Sequence, residues 1–168
     1  MHRLILMRHA QAEASSPSGG DEARPLSAVG RNEALAMGRA LAERGLKPDL
    51  ALVSSAVRTR ETWEQMHDAL GDVEVREEPR LYNAPAEVLR RFVEDNEEQA
   101  GCLLILAHNP GVHVLAGDYL SESAASPAIL DRLAAGFPTG AAALFTVDVA
   151  ARCAYEGFIT PRSLGAGA

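Results

Sequence analysis

Aromatic residues are scarce in this 168-residue chain, at 5%, and it has only two cysteines, Cys102 and Cys153. Two cysteines provide neither a disulfide framework nor a metal knuckle. Basic residues are also in the minority, because 16 Lys and Arg stand against 23 Asp and Glu and give a formal net charge of −7. Nucleic acids and anionic membranes attract basic patches, so a net-negative chain without a Lys/Arg block is predicted to bind neither.

Long apolar runs are absent as well. A bilayer-spanning helix needs about 18 or more apolar residues in succession, and the N-terminal apolar run is too short for a signal peptide. We therefore expect a cytoplasmic protein. We also expect a monomer. The apolar fraction of 47% and the charged fraction of 23% are typical of globular proteins. The length predicts a single domain over residues 1–168.

Short apolar runs alternate with longer amphipathic segments along the chain. The apolar runs predict strands over residues 4–7, 50–53, 73–76, 102–107, 142–147 and 155–159. The other segments predict helices capped by Ser27 and Ser55, a third helix from Pro85, and two more over residues 112–121 and 127–135. The order βαβαβαβααββ predicts a single-domain three-layer α/β/α fold with a mostly parallel central sheet and an antiparallel edge strand.

Three of the predicted strands end in side chains that bind anions. Arg8 and His9 follow the first strand, Arg58 lies one turn beyond the second, and His108 follows the most apolar strand. Ligands of parallel α/β sheets bind at the carboxyl ends of the strands, so these side chains are expected to converge. Each alone would be an ordinary surface or hydrogen-bonded residue, but grouped cations are costly unless an anion offsets them. Guanidinium groups bind phosphate oxygens bidentately, and the cluster therefore predicts a phosphate site.

Histidine is the predicted reactive group of this site. An unperturbed imidazole titrates near pH 6.5, so much of it is neutral and nucleophilic at pH 7. Attack on phosphorus requires its lone pair to point in line, with the other ring nitrogen held by an acceptor. The arginines, together with a second, protonated histidine, would stabilise charge on the equatorial oxygens. This chemistry requires no metal and no other cofactor.

Four ordered motifs give the chain a family resemblance. They are Leu6-Met7-Arg8-His9-Ala10, Arg24-Pro25-Leu26-Ser27 with Gly30, the stretch from Val53 to Thr62, and Leu106-Ala107-His108-Asn109-Pro110. From about residue 2 to about residue 162, the chain resembles the histidine phosphatase superfamily, the phosphoglycerate mutase-like group. Within that group it looks like the SixA-type phosphohistidine phosphatase branch.

The resemblance implies roles for five residues. His9 would be the nucleophile that is phosphorylated and then hydrolysed, with Arg8, Arg58 and His108 as catalytic residues that bind the phosphate. Arg24 would join the edge of the phosphate pocket. The implied substrate is phosphohistidine on a protein, such as a histidine phosphotransfer domain or a phosphocarrier protein, which would place the chain in signal transduction. The implied fold is phosphoglycerate mutase-like.

The chain departs from the wider family at three places. Ala10 replaces a glycine, which requires a negative φ at that position, and Ser55 replaces a frequent proline. A glutamate that serves many members as general acid has no clear counterpart, because Glu77 and Glu78 precede the position it would occupy. General acid help is worth roughly 10²–10⁴-fold, so its lack would favour labile P–N bonds over alkyl phosphates. The loop of residues 14–24 is expected to flank the opening of the site.

Three other functions fit parts of the pattern. The same nucleophile could serve a phosphomonoesterase or mutase that acts on a small phosphorylated metabolite, because a fold does not fix its substrate. A metal hydrolase could use His9 and His108, although zinc needs three or four ligands, and the spacing of His108 and His113 does not put them on one helical face. A phosphate-binding module without catalysis would also contain the cationic cluster.

Overall fold

The computed structural model of the chain describes residues 1–166. Its strands are β1 (Arg3–Arg8), β2 (Leu50–Ser54), β3 (Glu74–Glu78), β4 (Cys102–Ala107), β5 (Ala142–Val147) and β6 (Cys153–Ile159). Its α-helices are α1 (Ala28–Glu43), α2 (Val57–Leu70), α3 (Ala86–Asp95), α4 (Gly111–Glu122) and α5 (Pro127–Ala134). Short 3₁₀ helices lie at Asp21–Ala23, Pro79–Leu81 and Arg162–Leu164. None of these helices is long and apolar enough to cross a membrane.

The six strands form one mixed sheet in the order β3-β2-β4-β1-β5-β6. The first four of these are parallel to one another, whereas β5 runs antiparallel to both β1 and β6. This confirms the predicted mostly parallel sheet with an antiparallel edge. Because β1, β2 and β4 are parallel neighbours, their carboxyl ends meet at one edge.

Helices cover both faces of the sheet. Leu4 and Leu6 of β1 belong to a buried cluster with residues of α3, α4 and α5, whereas Ile5 and Met7 belong to a second cluster with α1 and α2. This alternation follows from the two-residue period of a strand. Every residue of β4 is buried, as expected of a parallel strand between two helical layers. The predicted three layers are therefore confirmed.

The two predicted serine caps have different outcomes. The hydroxyl of Ser27 accepts the N–H of Gly30 at 3.0 Å, as predicted for the start of α1. The prediction for Ser55 is wrong, because α2 begins at Val57 after Ala56 and has no side-chain cap. Ser55 lies one position too early and donates instead to the carboxylate of Glu22 at 2.9 Å.

Gly30 marks the closest approach between α1 and the chain that follows β1. A Cβ atom at this position would lie 1.9 Å from the carbonyl oxygen of Gln11, a backbone atom that cannot rotate away. At Gly117 in α4, by contrast, a Cβ atom would meet no other atom within 4 Å. The first position tolerates only glycine, and the second would accept alanine.

We predict that Gly30→Ala lowers the free energy of unfolding by about 1–3 kcal/mol, the usual cost of overpacking. Gly117→Ala is the matched control and should leave stability unchanged or raise it by up to about 1 kcal/mol, because alanine favours helix. Urea denaturation of both variants measures the difference. Equal stability of Gly30→Ala and the unmodified chain would contradict the predicted contact.

Candidate active site

The register of the sheet brings two histidines side by side. Arg8 at the end of β1 pairs with Ala107 at the end of β4, so the residues that follow them, His9 and His108, leave the sheet together. Their ring centroids lie 5.3 Å apart. Both side chains are buried. The structure therefore brings His9 and His108 to the predicted edge.

The ring of His9 is held in one tautomer. Its Nδ1 lies 2.7 Å from the carbonyl oxygen of Ala10, which can only accept, so Nδ1 carries the proton and Nε2 keeps a lone pair. The N–H of Ala10 donates to the hydroxyl of Thr62 at 3.0 Å, and that hydroxyl donates to the carbonyl of Arg58 at 2.7 Å. Ala10 is not among the residues with positive φ, so its methyl group is accommodated as the sequence required. This role of Thr62 was not predicted.

The two predicted arginines lie at the same edge. Arg58, in the first turn of α2, is only 3% exposed and donates from its two terminal nitrogens to the backbone carbonyl and the carboxylate of Asp21, at 2.8 and 3.1 Å. Arg8 donates to the carbonyl of Phe137 at 3.1 Å. The Nε atoms of both arginines are buried and have no hydrogen-bond partner among residues 1–166.

His108 is fixed by a serine at the end of β2. Its Nε2 lies 2.7 Å from the hydroxyl of Ser54, and the ring of Tyr82 packs edge-on against it at 5.5 Å between centroids. Its Nδ1 is buried and finds no partner in the described part of the chain. Ser54 and Tyr82 were not predicted as site residues.

The unpartnered buried side-chain nitrogen and oxygen atoms of the described chain lie in this region. They belong to Arg8, Arg58, His108 and the neighbouring Asn109. An unmet buried donor costs free energy, and such atoms are rare in folded proteins. A tetrahedral oxyanion offers several acceptor oxygens and therefore suits the two guanidinium Nε–H groups, whereas the Oδ1 of Asn109 is itself an acceptor.

Burial favours the neutral form of both histidines. It lowers the pKa of His9 to about 4, with smaller contributions from Arg58, Arg8 and Arg24. It also lowers the pKa of His108 to about 3, and the neighbouring His9 and Arg58 act in the same direction. In the free site, burial therefore favours the neutral form of His108, and its protonation when a phosphoryl group is bound stays a prediction.

Arg24 lies at the edge of the site and is connected to Arg58 by a shared acidic residue, Asp21. Its Nε donates to the carboxylate of Asp21 at 3.0 Å, and a terminal nitrogen donates to the carbonyl of Glu13 at 2.8 Å. Asp21 thus joins Arg24 to Arg58, and its carboxylate also accepts the hydroxyl of Tyr82. Within the loop of residues 14–24, Asp21 contacts the site residue Arg58 directly. Asp21 was missed, although it lies three residues before Arg24 in the sequence.

The carboxyl groups near the site are tied to other partners. Hydrogen bonds from Tyr82 and the two arginines lower the pKa of Asp21 to about 2. Glu78 is bound to Arg80 at 3.0 Å, and Glu77 lies near Arg60. Glu33 is buried and accepts the N–H of Gln11 at 2.7 Å.

Metal-ligating side chains do not gather in this region. Within residues 1–166, no three His, Cys, Asp or Glu side chains are grouped so that they could hold a metal ion. The pair of His9 and His108 supplies two nitrogens, whereas zinc sites use three or four protein ligands.

We predict that neither histidine titrates near its ordinary pKa. In NMR spectra of the folded protein with ¹⁵N-labelled histidine, the ring of His9 should become charged only near pH 4 and that of His108 near pH 3. The unfolded chain takes up these protons near pH 6.5. The contribution of the two histidines to the free energy of unfolding is therefore fully present above that pH and falls as the pH drops towards 4. Titration of both rings near pH 6.5 would contradict the prediction.

Comparisons with known proteins identify the family of this chain. The family model of the histidine phosphatase superfamily (branch 1) matches residues 4–90. The uncharacterized protein Rv1276c of Mycobacterium tuberculosis is 32% identical over 163 residues, which cover 93% of this chain and all of the relative. An uncharacterized chloroplastic protein of Arabidopsis thaliana is 32% identical over 119 residues, and the match spans only 55% of its length.

Two solved structures resemble the whole chain. The provisionally assigned phosphohistidine phosphatase SixA from Agrobacterium tumefaciens is 27% identical, with a TM-score of 0.84 over 95% of this chain and 98% of that one. The protein histidine phosphatase SixA in complex with tungstate is 23% identical and shares the fold, with a TM-score of 0.77 over 96% and 99% of the two chains. With a family match over half of the sequence and a full-length relative at 32% identity, the chain belongs to the histidine phosphatase superfamily.

Proposed function

We propose that the chain is a phosphohistidine phosphatase that hydrolyses phosphohistidine on a protein through a covalent intermediate at His9, without a metal. The observation that carries the proposal is the His9 ring, whose Nδ1–H is bound to Ala10 and whose Nε2 keeps its lone pair beside His108 and the arginines. Membership of the superfamily implies a phosphatase. The names of the SixA neighbours support phosphohistidine as the substrate.

The first step transfers the phosphoryl group to His9. The Nε2 lone pair attacks phosphorus while the P–N bond to the substrate imidazole breaks, and the bonding electrons stay on the leaving nitrogen. The leaving ring departs neutral when its other nitrogen already carries a proton. Arg8 and Arg58 stabilise the charge on the equatorial oxygens, which is the main requirement of phosphoryl transfer. Their unpartnered Nε–H groups are suited to this role.

The second step hydrolyses the phosphorylated His9. Water attacks phosphorus, the P–N bond breaks, and its electrons return to Nε2. The protons of the water leave with inorganic phosphate as dihydrogen phosphate, so the step requires no separate acid. The carbonyl of Ala10 holds the Nδ1 proton throughout, and the neutral ring is restored.

Two carboxyl groups near the site, those of Asp21 and Glu78, bear on the leaving group. An alkoxide is strongly basic and needs a proton as it leaves, whereas an imidazole does not. Asp21 faces the arginines, but its pKa of about 2 keeps it ionised at pH 7, and hydrogen bonds to Arg80 lower the pKa of Glu78. Neither is a proton donor at neutral pH. This supports P–N over alkyl P–O cleavage.

A direct comparison of two substrates tests the proposed specificity. We predict that kcat/KM for a phosphohistidine-bearing phosphocarrier protein exceeds that for a small alkyl phosphomonoester by about 10² or more, the contribution that a general acid would otherwise make. Release of inorganic phosphate measures both rates. A preference for the alkyl ester would indicate the small-metabolite phosphatase instead.

A pair of histidine variants tests the proposed nucleophile. His9→Ala should lower kcat by more than about 10³-fold, because no other group would accept the phosphoryl group. His67→Ala is the matched control, since His67 lies on the exposed side of α2, and it should retain full activity. Phosphohistidine turnover of both variants is measured under the same conditions. Substantial activity of His9→Ala would contradict the mechanism.

A further inference from the structure

Asp21 occupies a central position at the mouth of the site. One oxygen of its carboxylate accepts from Arg58 and from the hydroxyl of Tyr82, and the other accepts from Arg24. Its backbone carbonyl accepts a second hydrogen bond from Arg58, at 2.8 Å. Asp21 is therefore bound to Arg58 by both its side chain and its main chain.

These contacts divide the donors of Arg58 into two groups. A guanidinium has five N–H donors in a fixed planar fork. Asp21 accepts from the two terminal nitrogens, while the Nε is buried and has no partner among residues 1–166. Arg58 is 3% exposed, so few other orientations are open to it. The paired contact fixes the plane of the fork and leaves the Nε edge for another acceptor.

We propose that Asp21 is a positioning residue that orients Arg58 so that its Nε edge faces the phosphoryl group bound at His9. This inference rests on the proposed function and deepens it, because it assigns the acidic residue of the loop to the same site. The carboxylate also joins Arg24 to Arg58. Arg24 would therefore influence the phosphate through Asp21.

The alternative is that Asp21 competes with the substrate for Arg58, as an internal anion. The local structure favours a permanent contact between Asp21 and Arg58. Asp21 begins the 3₁₀ helix Asp21–Ala23, and its backbone carbonyl also accepts the N–H of Arg24 at 3.2 Å. Glu22 on the same helix accepts the hydroxyl of Ser55 just before α2. Because a backbone oxygen cannot rotate away, releasing Arg58 would require the whole short helix to move.

Binding of two anions separates these alternatives. Orthovanadate adopts a five-coordinate geometry that resembles the transition state, so its affinity depends on correctly placed donors more than that of phosphate does. We expect Asp21→Ala to weaken orthovanadate binding by about 10- to 100-fold, the scale of a misplaced catalytic group, and phosphate binding less. Isothermal titration calorimetry measures both affinities without any need for turnover.

Two further variants complete the test. Glu22→Ala is the matched control, because it removes a hydrogen bond of the same helix without a contact to Arg58, and it should bind both anions as the unmodified protein does. Asp21→Asn retains one acceptor oxygen for Arg58 and should lie between Asp21→Ala and the unmodified protein. If Asp21→Ala does not fold, the affinity of Asp21→Asn for orthovanadate tests the positioning role in its place.

Turnover measurements distinguish a failure of the positioning role from a failure of the proposed function. If the inference holds, kcat for phosphohistidine falls in Asp21→Ala by a factor similar to the loss in orthovanadate affinity, with a smaller change in KM. Unchanged affinity, or tighter binding of both anions by Asp21→Ala, would overturn the positioning role. An unmodified protein that binds both anions but does not hydrolyse phosphohistidine would overturn the proposed function instead.

Discussion

The parallel pairing of β4 with β1 on one side and β2 on the other determines the geometry of the site. Parallel strands that are buried on both faces end at a common edge, and each residue that follows them enters the same small volume. His9, His108 and Ser54 all come from these three strand ends. A shift of one strand by a single residue would turn its side chains to the opposite face and separate the two imidazoles. The buried aliphatic residues that set the register thus also set the distance between the reactive groups.

Grouping several cations around a neutral imidazole has an electrostatic cost, and the fold offsets part of it. Asp21 balances Arg58 and Arg24 at the mouth, and the charge of Glu33 acts on Arg8 from α1. The same cations and the burial lower the pKa of His9, which keeps its lone pair available for attack. The histidine is therefore nucleophilic because its surroundings oppose a positive charge, and those surroundings also attract a phosphate anion. One arrangement of charges serves both purposes.

The sequence was sufficient for the strands and for placing Arg8, His9, Arg58 and His108 at one edge of the sheet, because short apolar runs and strand-end motifs are local signals. It was not sufficient for the contacts between the loop of residues 14–24 and the sheet. Asp21 contacts Tyr82 across 61 residues of sequence, and Ser54 contacts His108 across 54, and neither pair has a local pattern. The lowered pKa of His108 in the free site could not be read from the sequence either, because it depends on how deeply the folded chain buries the ring. The cap of α2 was also predicted wrongly. Ser55 lies one position before the start of the helix and donates its hydroxyl to Glu22, a residue of another segment.

The proposed mechanism requires that Nε2 of His9 accepts the phosphoryl group. The phosphorylated protein can be trapped by rapid quenching at alkaline pH, where phosphohistidine survives, after labelling its histidines with ¹⁵N. Coupling between ³¹P and ¹⁵N then identifies the phosphorylated ring and the nitrogen within it. We expect phosphate on Nε2 of His9, since Nδ1 is bound to the Ala10 carbonyl. Phosphate on Nδ1 of His9, or on His108, would contradict it.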